Sequence, residues 1–459
     1  MSALKKLPRL VVAAAQSGCG KTTLTCGILA ALKRRGLAVQ ACKIGPDYID
    51  PGYLAQASGR PAHNLDTWLM DEASMARLFM EAALQADLAV VEGVMGLYDG
   101  GCGGVSSTAE IAKKLRAPVV LVIDCKSMGD SAAALALGFR EYDRGVDFRG
   151  VILNRLGSDS HRGMIAAAME RLGIPVLGAL KRDERLSVSE RHLGLLPAEE
   201  NETHSLDALT ECVERSVDLE ALLKIAADAP PLEFAPPPAS GAAERRAVIG
   251  VARDKAFSFY YPESLAELER AGARFVFFSP MDDNRLPEAD GLFFGGGFPE
   301  MFAARLAANG AMKDALSAAA RRGMPIYAEC GGFMYLTRSL TGFDGREFAM
   351  AGLIPAACRM NPKLQTVGYV EATALRDSVL CPAGTVVRGH EFHFSSAEPD
   401  AGMDASAAWR FVKKRTGAAY TAGYASANVL ASYLHLHFAG NLQLARNFVD
   451  ACERFARSR

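Results

Sequence analysis

Two segments of the chain hold residue types whose spacing can do chemistry. Ala15-Gln-Ser-Gly-Cys-Gly-Lys-Thr-Thr fits the phosphate-loop pattern of Gly, four residues and Gly-Lys-Ser/Thr, except that Ala15 stands where the first glycine would be. Gly18 and Gly20 free the main chain to aim N–H groups at phosphate oxygens, and Lys21 supplies a positive point charge. Thr22 and Thr23 complete the expected nucleotide-binding set, Thr22 with a hydroxyl that suits magnesium. Carboxylates follow at two further strand ends: Asp47 and Asp50 in Lys-Ile-Gly-Pro-Asp-Tyr-Ile-Asp-Pro (43–51), and Glu92 in Val-Glu-Gly-Val-Met-Gly-Leu-Tyr-Asp-Gly (91–100). Negative side chains beside a triphosphate are electrostatically wrong unless a divalent cation lies between them. Thr22, Asp47 and Glu92 are therefore the expected magnesium ligands, although either Asp also suits a helix N-cap or a turn. Asn154, at the end of a later strand, is placed to read an adenine edge or to serve as a core amide satisfied by backbone.

The second segment is Met-Pro-Ile-Tyr-Ala-Glu-Cys-Gly-Gly-Phe-Met-Tyr-Leu (324–336), a buried strand running into Cys330, two glycines and a helix-like stretch. Such a nucleophile elbow projects the Cys330 side chain above a sheet and turns the N–H of Gly331 toward a developing oxyanion. A second oxyanion donor is expected from Gly-Gly-Gly-Phe-Pro-Glu (295–300), with Gly296 and Gly297 the candidates, because backbone must approach a ligand closely there. A thiol needs a base within hydrogen-bond reach. His435 and His437 in Ala-Ser-Tyr-Leu-His-Leu-His-Phe (431–438) share one side of an extended segment, and one of them is the expected base. His390 and His393 form another pair, read as cleft or structural residues for want of a third metal ligand.

These groups need rigid elements behind them. Apolar runs at Leu10–Ala15, Val39–Ile44, Leu88–Val94, Val119–Asp124 and Val151–Asn154 alternate with helix-period segments, the signature of a doubly wound parallel sheet with helices on both faces. Ligands of such folds bind at the carboxyl ends of the strands, where the phosphate loop and the acidic residues fall. The Pro-rich stretch within 228–246 reads as a linker, dividing an ATP-dependent domain at 1–227 from a second α/β domain at 247–459. In the second domain strands are expected at Val248, Phe275–Phe278, Leu292–Phe294 and Pro325–Tyr327, with a terminal helix over Leu442–Arg457.

With 459 residues, two or three domains are expected, and half the residues are apolar, so well-packed cores can form. A net charge of −1 without a basic stretch argues against nucleic acid and anionic lipid as partners. No apolar run reaches the ~18 residues of a membrane helix, and no signal peptide is evident, so a cytoplasmic location is expected. The ten cysteines show no metal-binding spacing; most read as small buried hydrophobes, and Cys330 alone sits where chemistry is expected.

The first half is similar to the dethiobiotin-synthetase-like ATPases, and the second resembles class I glutamine amidotransferase domains of the cobyric acid synthase type. The motifs at 43–51, 91–100, 295–300 and 431–438, together with Ala-Phe-Ser-Phe-Tyr-Tyr-Pro-Glu (256–263) and Phe-Phe-Ser-Pro-Met (277–281), resemble the cobyrinic acid a,c-diamide synthases. This resemblance implies an ATP- and magnesium-dependent enzyme that amidates the a and c acetate carboxylates of a corrinoid or related tetrapyrrole. It implies acyl phosphate intermediates, with glutamine as the nitrogen source. It makes Cys330 the nucleophile and His435 its base, and places Asp47 and Glu92 in the synthetase site. Where many amidotransferases carry Glu two residues after the histidine, this chain has His437, so the third triad member is open. Also open are the macrocycle (cobyrinic acid, hydrogenobyrinic acid or nickel-sirohydrochlorin), a homodimeric assembly, a cobyric acid synthase activity, and a non-catalytic phosphate-loop switch that would leave Cys330 unused.

Overall fold

The structure, a computed structural model, describes residues 3–183, 190–191, 194–195, 204–234, 245–402 and 406–459. It divides into two compact units, Met1–Thr67 with Asp71–Pro238, and Trp68–Met70 with Ala239–Arg459.

In the first unit the Val-, Leu- and Ala-rich runs are buried on both faces, which only a helix-covered parallel sheet permits. Seven parallel strands lie in the order His63–Leu65, Val39–Ile44, Leu88–Glu92, Arg9–Ala14, Val119–Asp124, Phe148–Leu156, Val176–Lys181. All five expected strands are present, joined by one further strand at each edge. Arg9–Ala14 is central, and later strands are added first on one side of it and then on the other. Its carboxyl end is thus the switch point where a ligand crevice opens. The helix Lys21–Arg34 leaves from that end, burying Leu24, Ile28, Leu29 and Leu32 at helical spacing. Strand Ala3–Lys5 pairs antiparallel with Leu232–Phe234, so regular structure enters the stretch expected to be a linker. Residues 235–244 of that stretch lie outside the described residues.

The second unit is built on a six-stranded sheet in the order Ala273–Phe278, Ala247–Ala252, Gly291–Phe294, Ile326–Glu329, Val429–Ser432, Tyr424–Ala425, parallel except for the last pair. The expected strands and the helix Leu442–Arg457 all occur. Asn441 caps that helix by accepting from the N–H of Gln443, and Leu444, Phe448, Val449, Cys452 and Phe455 form its buried stripe. Two further sheets were not anticipated. One is a mixed four-stranded sheet, Glu347–Ala349, Thr337–Thr341, Ile354–Met360, Ser395–Pro399. The other is antiparallel, in the order Ala419–Ala422, Trp409–Lys413, Thr366–Ala374, Val386–His393, His435–Leu436. Among the described residues no helix is long and apolar enough to cross a membrane.

Candidate functional site

Each unit gathers one cluster of reactive side chains at the carboxyl ends of its central strands. In the first, the chain leaves Ala14, turns through Gly18 (φ +78°) and Gly20 (φ +83°), and enters the helix at Lys21. A Cβ on Gly20 would lie 2.5 Å from Asn154 Nδ2. That amide donates to the Cys19 carbonyl at 2.8 Å, and Asn154 Oδ1 accepts from the N–H of Arg155 at 2.9 Å. Asn154 therefore braces the phosphate loop through main-chain bonds.

Lys21 Nζ donates to the Met95 carbonyl at 3.4 Å. Burial lowers its pKa, with Lys43 adding to the effect. Thr22 Oγ1 donates to Glu92 Oε1 at 2.7 Å and approaches Asp50 Oδ2 at 3.2 Å, and Thr23 follows, half-buried, on the same turn. Lys43 was not singled out from the sequence, yet it stands at the centre of the acidic group. Its ammonium lies 2.5 Å from Asp50 Oδ2, 2.7 Å from Glu92 Oε1 and 3.8 Å from Asp47 Oδ2. Burial works against that charge, but the carboxylates outweigh it and hold Lys43 protonated. They divide among themselves. Burial alone would raise Asp50, and Lys43 pulls it below the usual range; burial raises Glu92, and burial with the Asp50 charge pushes Asp47 up to about 7. Asp47 also caps the following turn, its Oδ1 accepting from the N–H groups of Ile49 and Asp50. Asp50, rather than Asp47, is the aspartate in contact with Thr22.

The donor set suits magnesium: a hydroxyl and carboxylates, all hard oxygens, of the kind that bind this ion together with substrate phosphates and water. Glu92 Oε2 is buried without a hydrogen-bond partner, a costly state for a carboxylate oxygen unless a cation satisfies it.

In the second unit, strand Ile326–Glu329 ends at Cys330, which sits at φ 44° and ψ −100° before the helix Gly331–Leu336. A non-glycine residue in such a region costs about 1–3 kcal/mol and persists only where its surroundings hold it. Here the Cys330 N–H is tied to the Ser432 carbonyl at 2.8 Å, and the Gly332 N–H to that of Gly295 at 3.0 Å. A Cβ on Gly331 would lie 2.9 Å from Gly297 N, and one on Gly332 2.6 Å from the Phe294 carbonyl oxygen. Side chains at the two positions after Cys330 would therefore force the glycine loop away. Gly296 faces the base, its hypothetical Cβ 2.8 Å from His435 Cε1. Cys330, His435, Gly296, Gly297 and Gly331 thus meet in one place. Gly297 is the least replaceable of them, because at φ +156° an added Cβ would lie 2.1 Å from the Ala256 carbonyl oxygen. Gly297→Ala is expected to cost roughly 3 kcal/mol, against less than about 0.5 kcal/mol for the open, exposed Gly310→Ala. Urea unfolding of both variants checks the contrast.

His435 lies on a two-residue strand in register with His390, and their rings stack at 4.8 Å and 13°. Burial opposes charge on His435, yet Cys330 beside it and Glu329 behind it push its pKa up to about 10. Burial, with the charges of His435 and His437, drives His390 well below the ordinary value, and its Nε2 meets Tyr261 OH at 2.9 Å. His393 stacks on Tyr433 at 3.8 Å, and burial lowers it to about 4. His437 is equally buried, but its Nε2 lies 3.7 Å from Glu263 Oε2 and its ring packs on Tyr261 at 4.7 Å.

Two family descriptions match the two halves: residues 10–195 fit the CobQ/CobB/MinD/ParA nucleotide binding domain, and 248–442 the CobB/CobQ-like glutamine amidotransferase domain. Among curated relatives, a cobyrinate a,c-diamide synthase of Dehalococcoides mccartyi is 44% identical, the alignment covering 98% of this chain and 99% of the relative. One from Syntrophotalea carbinolica is 44% identical over 97% and 98%. The chain belongs to the cobyrinate a,c-diamide synthase family. A hydrogenobyrinate a,c-diamide synthase of Streptomyces coelicolor is 43% identical over 97% of this chain and 98% of its own. As a member of this family the chain is an enzyme, a glutamine-dependent amide ligase with a nucleotide-binding domain. A switch ATPase leaves the amidotransferase half without a role.

Proposed function

We propose that the protein amidates the a and c acetate carboxylates of cobyrinic acid, using ATP and glutamine, in the cytoplasm. The observation that carries this reading is the presence in one chain of two complete reactive clusters: Lys21, Thr22 and Glu92 around a phosphate loop, and Cys330 with His435 at a strained elbow. Residues 1–227, extended by the strand Leu232–Phe234, form the synthetase domain, and 247–459 the amidotransferase domain.

In the synthetase domain the loop N–H groups and Lys21 hold the triphosphate. Thr22, Asp50 and Glu92 would hold magnesium, with Asp47 at the rim. When bound, the ion supplies charge neutralisation of the phosphoryl group in transfer. A substrate carboxylate oxygen attacks the γ-phosphorus and ADP departs, leaving an acyl phosphate; ammonia then attacks the acyl carbon and phosphate leaves. Lys43, fixed among the carboxylates, keeps them from repelling an anionic substrate.

In the amidotransferase domain the Cys330 thiolate attacks the glutamine side-chain carbon. His435 passes its proton to the departing ammonia, and water, deprotonated by His435, hydrolyses the thioester to glutamate. Gly331 and Gly297 offer N–H groups to the oxyanion of both steps, each such donor being worth about 10²–10³ in rate.

The relative from Streptomyces favours a second reading, hydrogenobyrinic acid as acceptor, and nickel-sirohydrochlorin is a third candidate of the same chemistry. The purified enzyme is expected to add two amides to cobyrinic acid with ATP, magnesium and amide-labelled glutamine, read as two labelled nitrogens by mass spectrometry. Turnover of a metal-free or nickel macrocycle alone would reassign the substrate, and no turnover of any of the three would sink the reading.

A further inference from the structure

Resting on that reading, we infer that Glu329, the residue immediately before the nucleophile, is the carboxylate that positions His435, replacing the one this chain lacks after the histidine. Glu329 is 3% exposed, and its Oε2 lies 3.4 Å from His435 Nδ1. Its Oε1 accepts from Tyr327 OH at 2.5 Å and from the Leu436 N–H at 3.1 Å. The carboxylate is thus anchored both to its own strand and to the two-residue strand that carries the histidine. A group held on both sides fixes the ring it touches.

Consecutive residues of a strand point to opposite faces, so Glu329 and Cys330 would ordinarily not serve one imidazole. The reversal of the chain at Cys330 removes that obstacle. Glu329 takes Nδ1, leaving Nε2 as the nitrogen for the thiol, the order of parts in a nucleophile, base and orienting acid. His437 occupies the usual place of the acid, but a histidine cannot act as a carboxylate, and this one faces Glu263 and Tyr261. A buried carboxylate needs a compensating charge, and an imidazolium at His435 supplies it. The other titratable groups that act on the ring are Cys330, the stacked His390, and at longer range Glu391, His393 and, through His390, His437.

Glu329→Gln keeps the shape and an acceptor for Tyr327 and Leu436 but removes the charge. Glutaminase kcat is expected to fall about 10²-fold with KM within about threefold, and iodoacetamide labelling of Cys330 at neutral pH to slow in step. Glu329→Asp, which restores the charge, should recover part of both losses. Near-normal kcat and labelling in a folded Gln variant, or an Asp variant no better than Gln, would overturn the assignment. Should the Gln variant not fold, nitrogen-15 NMR of the Cys330→Ser protein decides: with Glu329 intact, the neutral His435 ring should carry its proton on Nδ1, facing the carboxylate, and a neutral ring protonated on Nε2 refutes the inference. If Cys330→Ser or His435→Ala keeps glutaminase activity, the underlying catalytic reading fails instead, whatever Glu329 does.

Discussion

Lys21→Ala and Glu92→Gln are each expected to remove amide formation with free ammonia as fully as with glutamine, whereas Cys330→Ser removes only the glutamine-dependent reaction. The division follows from which bonds each cluster touches. In the proposed mechanism Lys21 and Glu92 act on the nucleotide and its metal, so without them no acyl phosphate forms and a supply of ammonia changes nothing. One missing preorganised charge at a reacting phosphoryl group costs at least about 10² in rate. Glu92→Gln is the more demanding case, because it preserves volume and one acceptor while removing the charge that Lys43 and Thr22 meet. Steady-state assays with ammonium chloride or glutamine as donor, at saturating magnesium, separate the outcomes. Near-normal turnover in Glu92→Gln would discard its place at the metal, and equal loss of both donor reactions in Cys330→Ser would discard the two-centre mechanism.

The parts of the fold legible in the sequence are those with a simple burial pattern, either two-sided in a strand or a single regular stripe on a helix. Val119–Asp124 and Leu88–Glu92 read as strands because nearly every residue is apolar, and Leu442–Arg457 as a helix because its stripe is clean and capped. The two extra sheets of the second unit were illegible for the opposite reason. Thr366–Ala374 and Val386–His393 alternate buried with exposed positions irregularly, include Gly368 and Gly389, and take their outer partners, Trp409–Lys413 and His435–Leu436, from further along the chain. His63–Leu65 and Val176–Lys181 are edge strands too short, or too interrupted by Gly178, to stand out.

At the sites, the glycines and the nucleophile were legible because special backbone geometry restricts residue type. Lys43 and Glu329 were not. Each is a charged residue on a strand, and only the fold reveals that Lys43 meets Glu92 of another strand together with Asp47 and Asp50 of its own segment, and Glu329 a histidine 106 positions away. The motif around Asp47 suggested both of its aspartates, and three-dimensional placement was needed to see that Asp50 is the one against Thr22.

His435→Ala should almost eliminate glutaminase activity, while His437→Ala should retain a measurable fraction. Only His435 interacts with both Cys330 and a buried carboxylate, and that environment keeps a proton on the ring, poised for the leaving ammonia. Removing it takes away the partner of the thiolate, and a general base contributes roughly 10²–10⁴ in rate. His437 lies on the far side of Tyr261 from that chemistry: Tyr261 touches His390, and His390 stacks on His435. Its loss opens a cavity in a buried aromatic group and should appear first as lower stability, about 2–4 kcal/mol on the scale of large-to-small core changes. Alkylation of Cys330 across pH should therefore be slower in the His435 variant than in the His437 variant, after circular dichroism has established that both are folded. The opposite ranking would move the base to His437, and with it the orienting role from Glu329 to Glu263.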